Sequence, residues 1–207
     1  LDCVRKFKIK KIIFASSSAV YGRFDTPMKE TDGPCRPVSF YGAAKLASEN
    51  YIHAMQEQAD FKAWIVRFPN VVGPQLTHGV IYDFIRKLKK DPSQLEILGD
   101  GNQCKPYMWV GDLINGMLVA QDRLSDAFNV INVGVESATY VTDIAKTLVA
   151  QMGLTDVAFN YTGGEGGWAG DVPRFSYDLS LMKSIGIIPT HTSDESIRAC
   201  IKAELAS

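Results

Sequence analysis

Tyr41 and Lys45 stand four residues apart in Tyr41-Gly42-Ala43-Ala44-Lys45, and no other tyrosine of the chain has a lysine at that offset. On a helix this spacing puts both side chains on one face. The chemistry it permits is proton transfer. A free phenol, with a pKa of about 10, is a poor base near neutral pH. A fixed ammonium beside a phenol favours the ionised form. A second cluster, Ser16-Ser17-Ser18, closes the apolar run Ile12-Ile13-Phe14-Ala15. That run reads as a buried parallel strand, whose C-terminal end is where α/β folds place their sites. Ser17 could there hold the hydroxyl that Tyr41 deprotonates. Each cluster alone also has an ordinary reading: Tyr-x-x-x-Lys arises by chance, and three serines after a strand make a polar junction with a loop.

The elements that must position these residues follow from periodicity and breakers. A strand over 11–16 runs into a loop holding Pro27, Gly33, Pro34 and Pro37, in which Glu30, Thr31 and Asp32 are expected to face solvent. A helix over 40–59 carries the Tyr/Lys pair, and Ala63-Trp64-Ile65-Val66 marks a second buried strand within 61–68. Residues 1–75 therefore read as the closing half of a doubly wound sheet. Beyond Pro74 the stripe Val80, Ile81, Phe84, Ile85, Leu88 predicts a helix that ends in a basic cluster and packs on a core. Short strands at 95–98 and 107–110 flank Gly99-Asp100-Gly101. A helix over 112–123, capped by Asp112, leads to a strand at 128–133. Helices near 141–152, 179–185 and 194–205 complete a small α/β lobe, with no internal repeat.

Four further segments complete a pattern: Arg67-Phe68-Pro69-Asn70-Val71-Val72-Gly73-Pro74, Gly99-Asp100-Gly101-Asn102-Gln103, Val110-Gly111-Asp112-Leu113 and Gly167-Trp168-Ala169-Gly170-Asp171-Val172-Pro173. With the serine cluster and the Tyr/Lys helix, in this order along the whole chain, they resemble the extended short-chain dehydrogenase/reductases. Within these the resemblance is to the NAD-dependent nucleotide-sugar epimerases and dehydratases, and most to members like UDP-glucose 4-epimerase. The fold this implies is α/β: a partial doubly wound (Rossmann) parallel sheet plus a small α/β substrate-binding lobe. The division would be 1–75 and 76–207, with 111–133 returning to the sheet.

The resemblance also implies roles. The sugar 4-hydroxyl would be oxidised to a transient ketone and re-reduced on the other face, with NAD as cofactor and NADP left open. Tyr41 would be the acid/base, Lys45 its charge partner and a ribose contact, and Ser17 the hydroxyl anchor. Ser16 and Pro69 would join Tyr41 and Lys45 at the cofactor, Pro69 through its backbone at the carboxamide. Asn70 would hold the diphosphate of a UDP-sugar or, on the simpler reading, form a turn. His78 stands where relatives carry an Asn near the phosphates, and also reads as an exposed loop histidine. Lys105-Pro106 replaces the usual Arg-Asp, so phosphate would meet a point charge in place of a planar fork. Gly166 stands where a second arginine is frequent. Asp171 would contact the nucleotide ribose or brace its loop. A 4,6-dehydratase needs an Asp-Glu pair after the hydroxyl anchor, and this chain has Ser18-Ala19. A reading of another class is a nucleotide-sugar-binding module without catalysis.

Other features set bounds. A nicotinamide-binding domain opens with a strand, a glycine-rich turn and a helix that receives the pyrophosphate. The residues here start instead at Leu1-Asp2-Cys3-Val4-Arg5-Lys6, which reads as the tail of an amphipathic helix. Gly164-Glu165-Gly166-Gly167-Trp168-Ala169 spells the fingerprint, but Gly170-Asp171-Val172-Pro173 comes next where a helix is required. By resemblance about a hundred residues of sheet lie upstream of such a chain. The expectation is that these 207 residues alone bind no nicotinamide dinucleotide, do not epimerise, and self-associate through an open strand edge and the helix face that relatives use to form homodimers. A net charge of −1 gives no electrostatic case for nucleic acid or membrane surfaces. No apolar run approaches the ~20 residues of a membrane span, and nothing reads as a signal peptide. Cys3, Cys35, Cys104 and Cys200 are scattered, as are His53, His78 and His191, so neither a disulfide framework nor a metal site is expected, and a reducing cytoplasm fits.

Overall fold

The computed structural model describes residues 1–24, 26–167 and 170–206. In chain order its elements are α1 (Asp2–Lys6), β1 (Lys11–Ala15), α2 (Phe40–Gln56), β2 (Lys62–Arg67), β3 (Asn70–Val72), α3 (Val80–Lys90), β4 (Gln94–Ile97), β5 (Cys104–Lys105), β6 (Tyr107–Trp109), α4 (Val110–Arg123), β7 (Phe128–Asn132), β8 (Thr139–Tyr140), α5 (Val141–Gln151), β9 (Ala158–Tyr161), α6 (Ser180–Ser184) and α7 (Ser193–Leu205). A short 3-10 turn, Ser18–Val20, comes after β1. The chain divides into two units. One comprises Leu1–Pro69, Asp112–Gly134 and Ser176–Pro189; the other comprises Asn70–Gly111, Val135–Phe175 and Thr190–Ser207.

The first unit is built on a parallel sheet of order β1-β2-β7, in which Phe14 pairs with Ile65 and Ile65 with Val130. Parallel neighbours require a crossover, and α2 supplies it between β1 and β2. Strand β2 is central, so every residue after Lys62 is buried. Its alternation assigns the two faces. Ala63 and Ile65 pack with Ile52 of α2, Phe61 and the half-buried Ile12, Phe14, Phe128 and Val130. Trp64 points the other way and donates its indole N–H to Leu124 O at 3.1 Å, just past α4. Gly116 lets α4 approach closely, since a Cβ there would lie 2.8 Å from a Val133 methyl.

Three details of this unit differ from the sequence expectation. Glu30 is not simply solvated: its carboxylate accepts the Asn132 N–H at 2.8 Å, because the segment around Met28 is strapped down by Met28 N to Ser176 O and Asp178 N to Met28 O. Asp112 is no cap, because β6 ends at Trp109 and α4 begins at the next residue, which puts Asp112 in the first turn. Residues 176–189, read from sequence with the small lobe, make their contacts with the sheet unit, where Gly134 N meets the Met182 sulfur.

The second unit packs α3, α5 and α7 with β3, β4 and β6 around Ile81, Phe84, Leu88, Leu95, Ile97 and Ile144. The strands flanking the glycine turn do not pair with each other. Strand β4 runs parallel to β9 and β6 parallel to β3. The turn needs its glycines: Gly99 has φ +83°, and a Cβ there would fall 1.9 Å from the Gln103 amide nitrogen. Helix α7 starts with a capping box, Thr192 accepting from Glu195 N while Glu195 reaches back to Thr192 N. No helix among the described residues is long and apolar enough to cross a membrane.

Buried phenols set an alkaline limit on stability. Burial pushes Tyr21 in the first unit up to about 12, against the pull of the Arg67 charge. Burial likewise raises Tyr177 in the same unit and Tyr107 in the second, where the Asp171 carboxylate adds to it. An unfolded phenol gives up its proton near pH 10, whereas the folded one keeps it. The stabilisation is therefore complete below about pH 10 and lost as pH rises towards 12, about 2–3 kcal/mol for Tyr21 alone. The urea midpoint should be level from about pH 8 to 9.5 and fall steeply by about pH 11, with Tyr21→Phe flattening part of the fall. A level midpoint through this window would contradict the burial.

Candidate active site

Strand β1 delivers two serines at its C-terminal end. Ser16 is fully buried; its N–H bonds Val66 O at 2.8 Å and its hydroxyl donates to the Glu49 carboxylate. Ser17, 9% exposed, caps the 3-10 turn by accepting the Ala19 N–H at 3.2 Å. A hydroxyl has one donor and two acceptor lone pairs, so this cap leaves the Ser17 proton and one lone pair for a ligand.

Helix α2 begins at Ser39, whose hydroxyl accepts the Gly42 N–H at 3.1 Å. Tyr41 and Lys45 lie in its first turns, with Tyr41 54% exposed. The Lys45 ammonium donates to Ala15 O at 2.8 Å and lies 5.7 Å from the centre of the Tyr41 ring. It thus bridges the tyrosine face of the helix and the end of β1. Pro69, buried, comes after β2 at the same end of the sheet.

Between the tyrosine and the lysine sits a residue that the sequence reading treated only as a spacer. A Cβ on Gly42 would lie 2.4 Å from Ala19 O and 2.9 Å from the Pro37 side chain. The missing side chain is what lets the first turn of α2 close on the Ser17 turn. Gly42→Ala should push the two apart, cost about 1–3 kcal/mol of stability, and slow any reaction at Tyr41 by about 10- to 100-fold. Undiminished turnover in a folded variant would show that the contact has slack.

In the second unit the structure brings Lys105 and Asp171 together in an ion pair, with side chains 15% and 5% exposed. The other Asp171 oxygen accepts Gly167 N at 3.0 Å, so this carboxylate braces its loop while balancing Lys105. Trp168 and Ala169 of the motif lie outside the described residues. The nearby fingerprint spelling leads into turn and coil, in keeping with its rejection. Asn70 is exposed and opens β3 opposite Tyr107, a strand residue and not a turn. His78 is exposed in the loop before α3, its Nδ1 3.1 Å from the Thr77 hydroxyl.

Four buried polar residues in the first unit escaped the sequence reading as site residues. Glu49 and Arg67 form a two-pronged pair, Arg67 Nε to Oε1 at 3.1 Å and Nη2 to Oε2 at 2.6 Å. Tyr21 lies under the guanidinium, 4.8 Å from ring centre to Cζ, and donates to Asn132 Oδ1 at 2.7 Å. Burial opposes the Arg67 charge, but its hydrogen bonds and attraction to Glu49 and Tyr21 outweigh that, holding it above the ordinary arginine value. One clue was present: Glu49 comes four residues after Lys45 and three before Ile52, a charged residue on the core-facing stripe.

The profile described as "NAD dependent epimerase/dehydratase family" matches residues 1–134. The chain belongs to this family. Over 206 residues it is 31% identical to a "Putative UDP-glucose 4-epimerase" of Methanocaldococcus jannaschii, covering 97% of this chain and 65% of that protein. The crystal structure of a UDP-galactose 4-epimerase superposes with a TM-score of 0.86 at 35% identity, covering 99% of this chain and 66% of the other. MoeE5, solved with UDP-glucose and NAD, gives 0.83 at 29% identity, covering 97% and 66%. This epimerase/dehydratase chain thus spans about two thirds of the length of these relatives.

Proposed function

We propose that the protein is an NAD-dependent nucleotide-sugar epimerase that inverts C4 of a UDP-sugar. The observation that carries this is the Lys45 ammonium held at once by Ala15 O at 2.8 Å and beside the Tyr41 ring at 5.7 Å, at the end of β1 where Ser17 keeps a free hydroxyl proton.

The donor set suits the nicotinamide riboside end of the cofactor. An exposed phenol and a half-buried ammonium match the ribose hydroxyls, and the chain after β2 offers the Pro69 backbone to the carboxamide. For the pyrophosphate, no strand, glycine turn and helix in succession occur among the described residues: β1 runs into a 3-10 turn and β2 into Pro69. When bound, NAD supplies reversible hydride acceptance at the sugar carbon. The chain's own part is proton handling. Ser17 orients the substrate hydroxyl, Tyr41 takes its proton, Lys45 stabilises the phenolate, and Tyr41 later returns the proton to the same oxygen. In the second unit Lys105, Asn70, His78 and Asp171 would meet the diphosphate and ribose.

Epimerisation is favoured over dehydration by the residues next to Ser17. Ser18 and Ala19 offer no carboxyl to remove water, Glu49 is held by Arg67, and Glu30 accepts from Asn132 N. The test is to supply the whole protein, and not these 207 residues alone, with NAD and UDP-glucose and follow C4 inversion by NMR. UDP-galactose should appear with no net change in NAD. A 4-keto-6-deoxy product would replace this reading with a dehydratase, and binding without turnover would replace it with a binding module.

A further inference from the structure

The reactive groups of the first unit come from different elements: Ser17 from the end of β1, Tyr41 and Lys45 from α2. Their separation must be fixed by something other than themselves. The Glu49 carboxylate lies on α2 two turns beyond Tyr41. It accepts from the hydroxyl of Ser16, the residue before Ser17, and from both prongs of Arg67, the last residue of β2. Arg67 also donates to Glu30 O at 3.3 Å and covers Tyr21, which bonds Asn132, the last residue of β7. One chain of contacts therefore ties α2 to the C-terminal ends of all three strands.

Stability alone does not account for a charged pair in this place. Ser16, Glu49 and Arg67 are each at most 6% exposed, and a buried ion pair is often matched or bettered in stability by apolar residues of similar volume. A two-pronged Arg–carboxylate contact offers something that apolar packing does not, a fixed direction and separation. A cavity of about 430 Å³, lined in part by Cys35, Leu46, Asn50, His53, Glu49 and Arg67, reaches the pair.

We propose that Glu49 and Arg67 are positioning residues, which set the seat of α2 on β1 and β2 and thereby hold Ser17 at working distance from Tyr41 and Lys45. The catalytic meaning of this rests on the epimerase reading above, but the positioning can be read without turnover.

The decisive variant is Glu49→Leu with Arg67→Met, which keeps volume and removes the charges, measured in the whole protein beside Glu49→Gln and Arg67→Lys. In the double variant hydrogen exchange at the amides of Ser16, Ser18 and Ala19 should rise about tenfold or more, while Ile65 and Val130 in the ladder stay as protected as before. kcat should fall about 10- to 100-fold with KM for the nucleotide-sugar changed less than about threefold. Arg67→Lys, which keeps the charge without the fork, should fall between the double variant and the parent. Unchanged exchange at Ser16–Ala19, or exchange raised equally throughout the sheet, overturns the proposal, as does full turnover in the folded double variant. Should the double variant fail to fold, Glu49→Gln decides by the same readings, because it keeps the volume and an acceptor for Ser16. A parent protein that does not epimerise removes the epimerase reading, and the exchange measurement still decides the positioning.

Discussion

Tyr41→Phe is expected to lower kcat for epimerisation by about a hundred- to ten-thousandfold, the range that one positioned acid/base supplies, while nucleotide-sugar affinity stays within a factor of about two. The phenol is 54% exposed and lies beside the Lys45 ammonium, so losing one oxygen leaves fold and binding surface intact. The effect should therefore fall on the chemical step. Lys45→Met should also slow turnover, but with a second symptom. It removes both the charge beside Tyr41 and the tether to Ala15 O, so exchange at the end of β1, Ala15–Ser17, should rise as well. If Tyr41→Phe kept turnover within a few-fold of the parent, the assignment of the acid/base would be lost, whatever the family.

The sheet unit was legible because its residues obey simple periods. Ala63-Trp64-Ile65-Val66 is apolar throughout because β2 is central and covered on both faces, and the Tyr/Lys pair is visible because four residues make about one helical turn. The order of the motifs carried the family. What escaped was everything held by contacts distant in sequence. Glu30 looks like a loop acid until Asn132, about a hundred residues away, donates to it; Glu49 looks like one more helix glutamate until Arg67 and Ser16 close on it. Gly42 was hidden for another reason: a glycine's role lies in the space it leaves, and only the position of Ala19 O reveals it. Lys105 stands out in the sequence as a point charge for phosphate, whereas its counter-ion, sixty-six residues on, shows only in the fold.

That counter-ion changes what a Lys105 variant must show. Lys105→Ala leaves the Asp171 carboxylate buried without its partner, so the second unit should lose about 3–5 kcal/mol of stability whether or not phosphate ever binds there. Asp171→Asn in the same chain should restore most of it, since the pair then leaves no uncompensated charge, and the two losses should be strongly non-additive. Against that background the binding role becomes readable. If Lys105 also meets the diphosphate, the stabilised double variant should still bind UDP-sugar more weakly than the parent, by an amount that shrinks as salt is added. Lys105→Arg should bind as well or better, because a guanidinium can face Asp171 and phosphate with parallel donors. Equal affinity of parent, Lys105→Arg and the double variant at low salt would make Lys105 the counter-ion of Asp171 and nothing more, and would shift the diphosphate to Asn70, His78 and backbone amides.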